Sequence, residues 1–300
     1  MGLGGVEATG EIPRQRRPPR APEPAAPAPR SAAPAHGERL SVRVTPGATA
    51  ETARIEYKGQ SKFVIEWEAE AALEMARENP RRSLEVYDVI LAAFPMYAKA
   101  WYNKAVILHT VVRDLERALD AYDRAHKALP KNLDILHNKA KLLGELRRTK
   151  EAMATYEQVL RVDPDYLMSL EGYAALLINA GAPEKAEPLL VRAERIYEKS
   201  ARDPYRATQL LATAYSNLGR NKEALKAIDR ALGAHPQDDS LWEARGIALS
   251  NMEKYREAVE CLTKALRINR SNRFAFDTRQ QILEVCRQHK IRFSEGELAF

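Results

Sequence analysis

The spacing of apolar residues changes along the chain and divides it into segments. From about residue 64 onward, apolar side chains recur every three or four residues over stretches of about 14 residues, the spacing of helices with one buried face. Before that point, Leu40, Val42 and Val44 alternate with polar residues, as strands do. The pattern predicts a helical array over residues 64 to 290. Residues 37 to 63 are predicted to form either a short β-hairpin or an extended lead-in.

The helical part of the chain repeats itself. Alignment on one small residue places an anchor in each of six units, with gaps of 35, 34, 34, 38 and 34 residues. A second small residue, from Ala71 in the first unit to Gly246 in the sixth, precedes each anchor by 12 positions, with one extra residue in the second unit. Two helices can lie closely antiparallel only if small residues occur where their backbones approach. The anchors are Ser83, Ala118, Ala152, Ala186, Ala224 and Ala258.

Prolines and glycines mark the predicted helix ends. Gly181 and Gly219 lie at the turn between the two helices of their units. The gap of 38 residues predicts that the second helix of the fourth unit, between Val191 and Arg202, is about one turn longer than the others. Proline lacks the N–H that continues a helix, so it stops the second helix of a unit. These prolines are Pro95, Pro130, Pro164 and Pro236.

This set of positions resembles the tetratricopeptide-repeat (TPR) family over about residues 64 to 290. The resemblance implies an all-α fold, a right-handed superhelical solenoid of about six helix-turn-helix repeats. Most repeats open with a large residue, such as Trp67 in the first and Trp101 in the second, and we call its place the opening position. Residues 271 to 290, with Phe276 at the opening position, are expected to form a single capping helix. The resemblance also implies a non-enzymatic scaffold or adaptor that binds a peptide or a segment of another protein in its concave groove.

The first helices of such repeats line the groove, and the family positions assign ten candidate residues to it. Five of them are asparagines, whose carboxamides donate and accept hydrogen bonds as the backbone of an extended peptide does. We expect Asn217 and Asn251, beside turns, to cap those turns or contact water, whereas both roles stay open for Asn103 and Asn138. The candidates are Tyr102, Asn103, His109, His137, Asn138, Lys141, Asn179, Gln209, Asn217 and Asn251.

Some TPR domains clamp a terminal carboxylate with a basic pair one repeat after a central asparagine. One repeat after Asn138, the places of that pair are taken by Met168 and Gly172. One repeat after Asn103 they are taken by Asp134 and Asn138. The sequence therefore disfavours a receptor of this clamp type.

Motifs for catalysis and metal binding are absent from the sequence. It contains no phosphate-binding GxxxxGK[ST] and no HExxH motif. Cys261 and Cys286 lack a CxxC partner, so both are expected to be small core residues. His109 and His137 fall on adjacent first helices but have no third ligand, which favours a groove-lining role. The sequence predicts no enzyme, no cofactor and no metal site.

The positive net charge of the chain makes nucleic acid an alternative partner. The chain carries a net charge of +6, and residues 1 to 60 hold nine basic and six acidic side chains, which is half of the excess. No cluster of basic and aromatic residues accompanies them, so nucleic acid, bound through the basic N-terminal tail, is the alternative to a protein partner.

The two ends of the chain differ from the array. Residues 1 to 36 are rich in Pro, Ala and Arg, a composition typical of disorder. No apolar segment follows Arg14 to Arg20, as it would in a secretory signal. Apolar stretches such as Val89 to Phe94 are too short to span a bilayer. We therefore expect a cytoplasmic protein. Residues 291 to 300 form a tail that we expect to dock on the solenoid, with partner binding as the alternative.

Overall fold

The computed structural model describes residues 40 to 200 and 202 to 293. The described residues from Ser41 onward belong to one compact unit. The predicted tail at residues 1 to 36 lies outside the described residues, as do residues 294 to 300 of the C-terminal tail.

Three short strands precede thirteen α-helices in the described part of the chain. The strands are β1 (Arg43–Thr45), β2 (Arg54–Tyr57) and β3 (Gln60–Phe63). The helices are α1 (Val64–Ala76), α2 (Pro80–Ala93), α3 (Ala98–Ile107), α4 (Leu115–Ala128), α5 (Leu133–Glu145), α6 (Thr149–Val162), α7 (Leu167–Asn179), α8 (Pro183–Ser200), α9 (Tyr205–Asn217), α10 (Asn221–Ala234), α11 (Asp239–Ser250), α12 (Tyr255–Ile268) and α13 (Arg273–Gln288).

The helices form six pairs followed by the single helix α13. Each odd-numbered first helix from α1 to α11 packs on the second helix that follows it, and each second helix packs on the next first helix. Consecutive first helices from α5 onward also contact one another, whereas consecutive second helices in the described residues make no comparable contact. The first helices therefore converge on the concave side of the array, which we call the inner face. These features confirm the predicted helical solenoid with a last, unpaired helix.

Small residues allow the close approach of paired helices. Ala140 and Ala152 in the third repeat are fully buried where α5 and α6 meet, and the equivalent alanines of the other repeats are buried in the same way. In the first repeat the anchor is Ser83, whose hydroxyl donates to the carbonyl of Ala71 at 2.9 Å. The spacing that defines the repeat is thus the spacing of the helix contacts.

Two glycine-to-alanine substitutions test this close approach. At Gly246 an added Cβ would lie 2.8 Å from Leu262 Cγ and 3.1 Å from the carbonyl oxygen of Ala258, whereas at Gly233 it would meet nothing within 4 Å. We expect Gly246→Ala to lower the free energy of unfolding by about 1 to 2 kcal/mol through overpacking. Gly233→Ala should raise it by about 0.5 to 1 kcal/mol through helix propensity. Urea denaturation of both variants checks the prediction, and changes of the same sign would contradict it.

The two irregular gaps between anchors have separate structural causes. The gap of 35 residues is accommodated by a π-helical turn, Leu108–Val112, which ends at Arg113 with a φ of 60°. A π turn holds one residue more than an α turn, which explains the extra residue in the second repeat. The gap of 38 residues lengthens α8 to 18 residues, against 14 in α6 and α10. The predicted longer helix is confirmed.

Residues 43 to 63 form an antiparallel sheet of three strands in the order β1-β2-β3. Lys58 and Gly59 make the turn between β2 and β3, both with positive φ, as a two-residue hairpin with a type I′ turn requires. Ile55 is buried against α1, where Trp67 Nε1 lies 3.4 Å from the Ile55 carbonyl oxygen. Helix α1 begins at Val64, whose side chain is fully buried.

Candidate functional site

Side chains on the inner face bond to side chains of the neighbouring repeat. Between the second and third repeats, Asn138 Nδ2 donates to the Tyr102 hydroxyl at 3.0 Å and to the backbone oxygen of Asp134 at 2.9 Å. Between the first and second, Lys99 Nζ donates to Glu68 at 2.8 Å. Several polar groups of the groove are therefore already engaged within the chain.

His109 lies in the π turn and is buried against the third repeat. Its Nε2 is 3.1 Å from Glu145 Oε1, and Arg113 donates to the other oxygen of that carboxylate at 2.9 Å. Burial lowers the pKa of His109, and the hydrogen bond to Glu145 opposes that shift. The ring packs edge-on against Tyr122 with 6.1 Å between centroids. This group of side chains joins the second and third repeats.

His137 lies one repeat further along the inner face, and its ring is half-buried. Nδ1 is 3.0 Å from the Ser169 hydroxyl oxygen, and the ring meets Tyr156 edge-on at 5.9 Å. Burial, together with the positive charges of Lys141 and Arg206, lowers the pKa of His137 to about 4. The imidazole is therefore neutral near pH 7.

The lowered pKa of His137 makes the stability of the array depend on pH. In the unfolded chain the ring takes up a proton below about pH 6.5, whereas in the folded chain it stays neutral down to about pH 4. The unfolded state thus binds more protons in this window, and stability falls as the pH falls. Between about pH 7 and about pH 5 we expect the free energy of unfolding to fall by about 1 to 2 kcal/mol because of this ring.

Urea denaturation of the wild-type chain and of His137→Asn at both pH values measures this loss. Asparagine keeps a polar group near Ser169 but does not titrate. The variant should lose less stability on acidification than the wild type, and equal losses would contradict the assignment. Because burial also lowers the pKa of His109, some acid sensitivity should remain in the variant.

The other candidate residues have varied surroundings. Gln209 Nε2 donates to the Tyr205 hydroxyl at 2.7 Å, and Asn103 lies beside the Tyr87 hydroxyl. Lys141 is exposed. Three asparagines near helix ends are exposed, and their side chains make no hydrogen bond with another described residue: Asn179, Asn217 and Asn251.

Tyrosines at the start of first helices also join the repeats. The Tyr97 hydroxyl donates to Glu68 at 3.1 Å, and the Tyr166 hydroxyl donates to Asp134. The groove positions alone did not predict these contacts. Tyr97 and Tyr166 each lie four residues before an opening residue of their repeats, so their shared position was the signal that could have found them.

The described residues contain no group of three or more His, Cys, Asp or Glu side chains placed to hold a metal ion. Over the same residues, no helix is both long enough and apolar enough to span a bilayer. Cys261 and Cys286 are buried free thiols. Arg245 lies 3.1 Å from Cys261 Sγ, and burial raises the pKa of that thiol.

Comparison with known proteins decides the family. Family models described as tetratricopeptide repeat match residues 68–132, 133–166, 205–248 and 239–272. The chain belongs to the tetratricopeptide-repeat family. The matched ranges leave out residues 167 to 204, which contain the lengthened helix α8.

Relatives and solved structures agree with this assignment. A TPR repeat-containing protein of Methanocaldococcus jannaschii is 27% identical over 225 residues, which cover 71% of this TPR chain and 38% of the relative. The crystal structure of a tetratricopeptide repeat protein from Parabacteroides merdae has a TM-score of 0.60 and 19% identity, covering 78% of this chain and 95% of that one. YrrB, described as a TPR protein with an unusual peptide-binding site, has a TM-score of 0.53 and 22% identity, covering 66% and 99%. These structures show the shared fold.

Proposed function

We propose that this TPR protein is a non-enzymatic scaffold or adaptor that holds a peptide, or a segment of a partner protein, against its inner face. The observation that carries the proposal is the convergence of the first helices, which brings side chains of successive repeats onto one concave surface. A concave surface of this kind can contact an extended segment along several repeats at once. TPR folds typically serve protein interaction, and the family assignment supports this class of function.

We divide the residues that the family positions assign to the inner face into two groups, according to their contacts within the chain. Tyr102, Asn138 and Glu145 bond to neighbouring repeats, so we assign them to the wall that shapes the groove. Thr110 and Thr213, which the family positions also assign to the groove, are exposed, and each hydroxyl donates only to a carbonyl of its own helical turn. A partner segment can approach these exposed positions without breaking contacts between repeats.

Steric obstruction of the inner face tests the proposal. Random peptides displayed on phage are first selected on the immobilised chain, and the binding of the selected peptides is then measured. We expect Thr110→Trp and Thr213→Trp to weaken binding by about tenfold, because the indole occupies the space of the peptide.

The matched controls place tryptophan on second helices, at Gln158→Trp and Glu260→Trp. Both residues are exposed on α6 and α12. Binding should be unchanged in these controls. If the outer substitutions weaken binding and the inner ones do not, the partner uses another surface and the proposal fails.

A further inference from the structure

An open groove with a volume of about 600 Å³ runs along helix α8 in the fourth repeat. The helix supplies all of the lining side chains except Asp165, which lies in the turn between α6 and α7. Val191 and Ile196 form the apolar floor of the groove. Because α8 is a second helix, the groove lies away from the inner face. Three basic side chains also line it: Arg192, Arg195 and Lys199.

The groove lies where the second repeat has a tryptophan ring. Trp101, at the opening position, donates from Nε1 to the Pro95 carbonyl at 2.8 Å, and the Arg124 guanidinium lies 4.9 Å from the centre of its ring. Arg124 corresponds to Arg192, since each lies six residues after the anchor of its repeat. The fourth repeat has Leu170 at the opening position, only 1% exposed. This shorter side chain leaves the corresponding space beside Arg192 open.

The lengthening of α8 adds one of the three cations. If α8 had the length of α6 and α10, it would end ten residues after its anchor Ala186, at Ile196. The added turn, residues 197 to 200, contains Lys199 and places it one helical turn beyond Arg195 on the same face. The groove therefore depends on the extra turn that sets the fourth repeat apart from its neighbours.

Two of the cations are available to a ligand. Arg192 is already engaged, because its Nε donates to Asp165 at 2.7 Å. Arg195 and Lys199 are exposed, and neither side chain makes an ion pair or a hydrogen bond with another described residue. Glu198, an exposed carboxylate beside Lys199 in the sequence, does not line the groove. The groove therefore combines an apolar floor with two available positive charges.

We propose that this groove binds an acidic segment of a partner protein, with carboxylates at Arg195 and Lys199 and an apolar side chain on the floor. The two cations are four residues apart, or about 6 Å along the helix axis. Alternate residues of an extended chain are about 6.6 Å apart, so a Glu-X-Glu sequence fits this spacing. The groove is separate from the inner face, so the inference goes beyond the proposed function.

A protein segment fits this lining better than a nucleic acid does. Proteins bind single-stranded nucleic acids by stacking the bases on aromatic rings along a basic groove. None of the described residues that line the groove is aromatic. Val191 and Ile196 instead offer an apolar surface, which a leucine or valine side chain can cover and a phosphate backbone cannot.

Three pools of short fluorescein-labelled synthetic peptides test the proposal. The pools share random flanking positions drawn from Ala, Ser, Gln and Leu, and their centre is fixed as Glu-X-Glu, Gln-X-Gln or Lys-X-Lys. Fluorescence anisotropy with the full chain should show that the Glu pool binds about five- to tenfold more tightly than the Gln pool. The Lys pool should bind most weakly, and added salt should reduce the difference.

Substitution of the two available cations locates this preference. Arg195→Gln combined with Lys199→Gln should weaken binding of the Glu pool to the level of the Gln pool. The fold should be retained, because neither side chain has a partner to lose within the described chain. Lys222→Gln combined with Lys226→Gln is the matched control, since both lysines are exposed, one turn apart, on the neighbouring second helix α10. The control removes the same net charge and should leave binding unchanged.

Charge reversal in the groove gives a second readout. Arg195→Glu combined with Lys199→Glu should bind the Lys pool more tightly than the Glu pool, a result that loss of the fold cannot produce. Binding of the Glu pool should be unchanged in Thr213→Trp, because that substitution obstructs the inner face and not this groove.

Four results would overturn the proposal. Equal binding of the Glu and Gln pools, or no binding by either, removes the acidic preference. Equal losses in the Arg195/Lys199 variant and in its control reduce the effect to net charge. Loss of Glu-pool binding in Thr213→Trp assigns the peptides to the inner face and leaves the proposed function intact. Tighter binding of a short thymidine oligonucleotide, lost in the Arg195/Lys199 variant, assigns the groove to nucleic acid.

Discussion

Replacing Leu190 with alanine is expected to lower the free energy of unfolding by about 3 to 4 kcal/mol. Leu190 is 0% exposed, in a cluster that joins the third, fourth and fifth repeats through residues such as Tyr156 and Leu211. Truncation leaves a cavity at the centre of the array, and repeats stabilise only their neighbours. Urea denaturation followed by circular dichroism measures the loss, and we expect the transition to broaden as the two halves become less coupled.

Leu73→Ala is the matched control for this cavity. Leu73 lies on the first helix of the first repeat and is 49% exposed. Leu73→Ala should lower the free energy of unfolding by less than about 1 kcal/mol, because the side chain buries little apolar surface at this position. Equal losses at positions 73 and 190 would show that the cluster around Leu190 does not carry the coupling between repeats.

Replacing Trp67 with alanine is expected to lower the free energy of unfolding by about 3 to 5 kcal/mol and to detach the sheet from the first repeat. Trp67 is 1% exposed and packs edge-on against Tyr57 at 6.5 Å, while its Nε1 lies 3.4 Å from the carbonyl oxygen of Ile55. Trp67 therefore connects β2 to α1. Hydrogen exchange should show that the amides of β2 and β3 lose protection in this variant.

Trp101→Ala provides the comparison, because Trp101 is at the same repeat position in the second repeat. Trp101 is only half-buried, and its Nε1 donates to the Pro95 carbonyl at 2.8 Å. We expect a loss of about 1 to 2 kcal/mol and normal exchange in β2 and β3. Loss of strand protection in both variants would contradict a specific role for Trp67.

The repeat architecture could be predicted from the sequence because it depends on regularly spaced small residues. Ala152 and Ala186 mark places where two backbones approach, and both are fully buried there. The longer α8 was also predictable, since four added residues make about one helical turn and keep the apolar face aligned.

Local backbone geometry was harder to predict. The turns within the repeats contain residues with positive φ, a conformation that glycine adopts more readily than other residues. Only at Gly181 and Gly219 does the residue type indicate this conformation. Arg113 and Arg147 adopt the same conformation, with φ values of 60° and 62°. The packing of the two helices imposes this conformation against the preference of an ordinary side chain, so sequence gives no sign of it. The π turn left one sign in the sequence, the extra residue of the second repeat, but its backbone geometry could not be predicted from it.

The availability of the groove residues could not be predicted from their positions. Family positions indicate that Asn138 and Lys141 both face the groove, and both lie on helix α5. They differ because Tyr102 of the preceding repeat reaches Asn138, whereas no described residue pairs with Lys141. Such contacts between repeats depend on the curvature of the array. Asn138 is consequently expected to shape the groove and Lys141 to contact the partner.

Photo-cross-linking tests the central claim, that the inner face is the binding surface, most directly. A photoreactive phenylalanine analogue is placed at Thr213 on α9 or at Glu260 on α12, and each protein is irradiated with a peptide selected on the wild-type chain. Both positions are exposed. We predict that the peptide is cross-linked from position 213 and not from position 260. Cross-linking from position 260 alone would contradict the account.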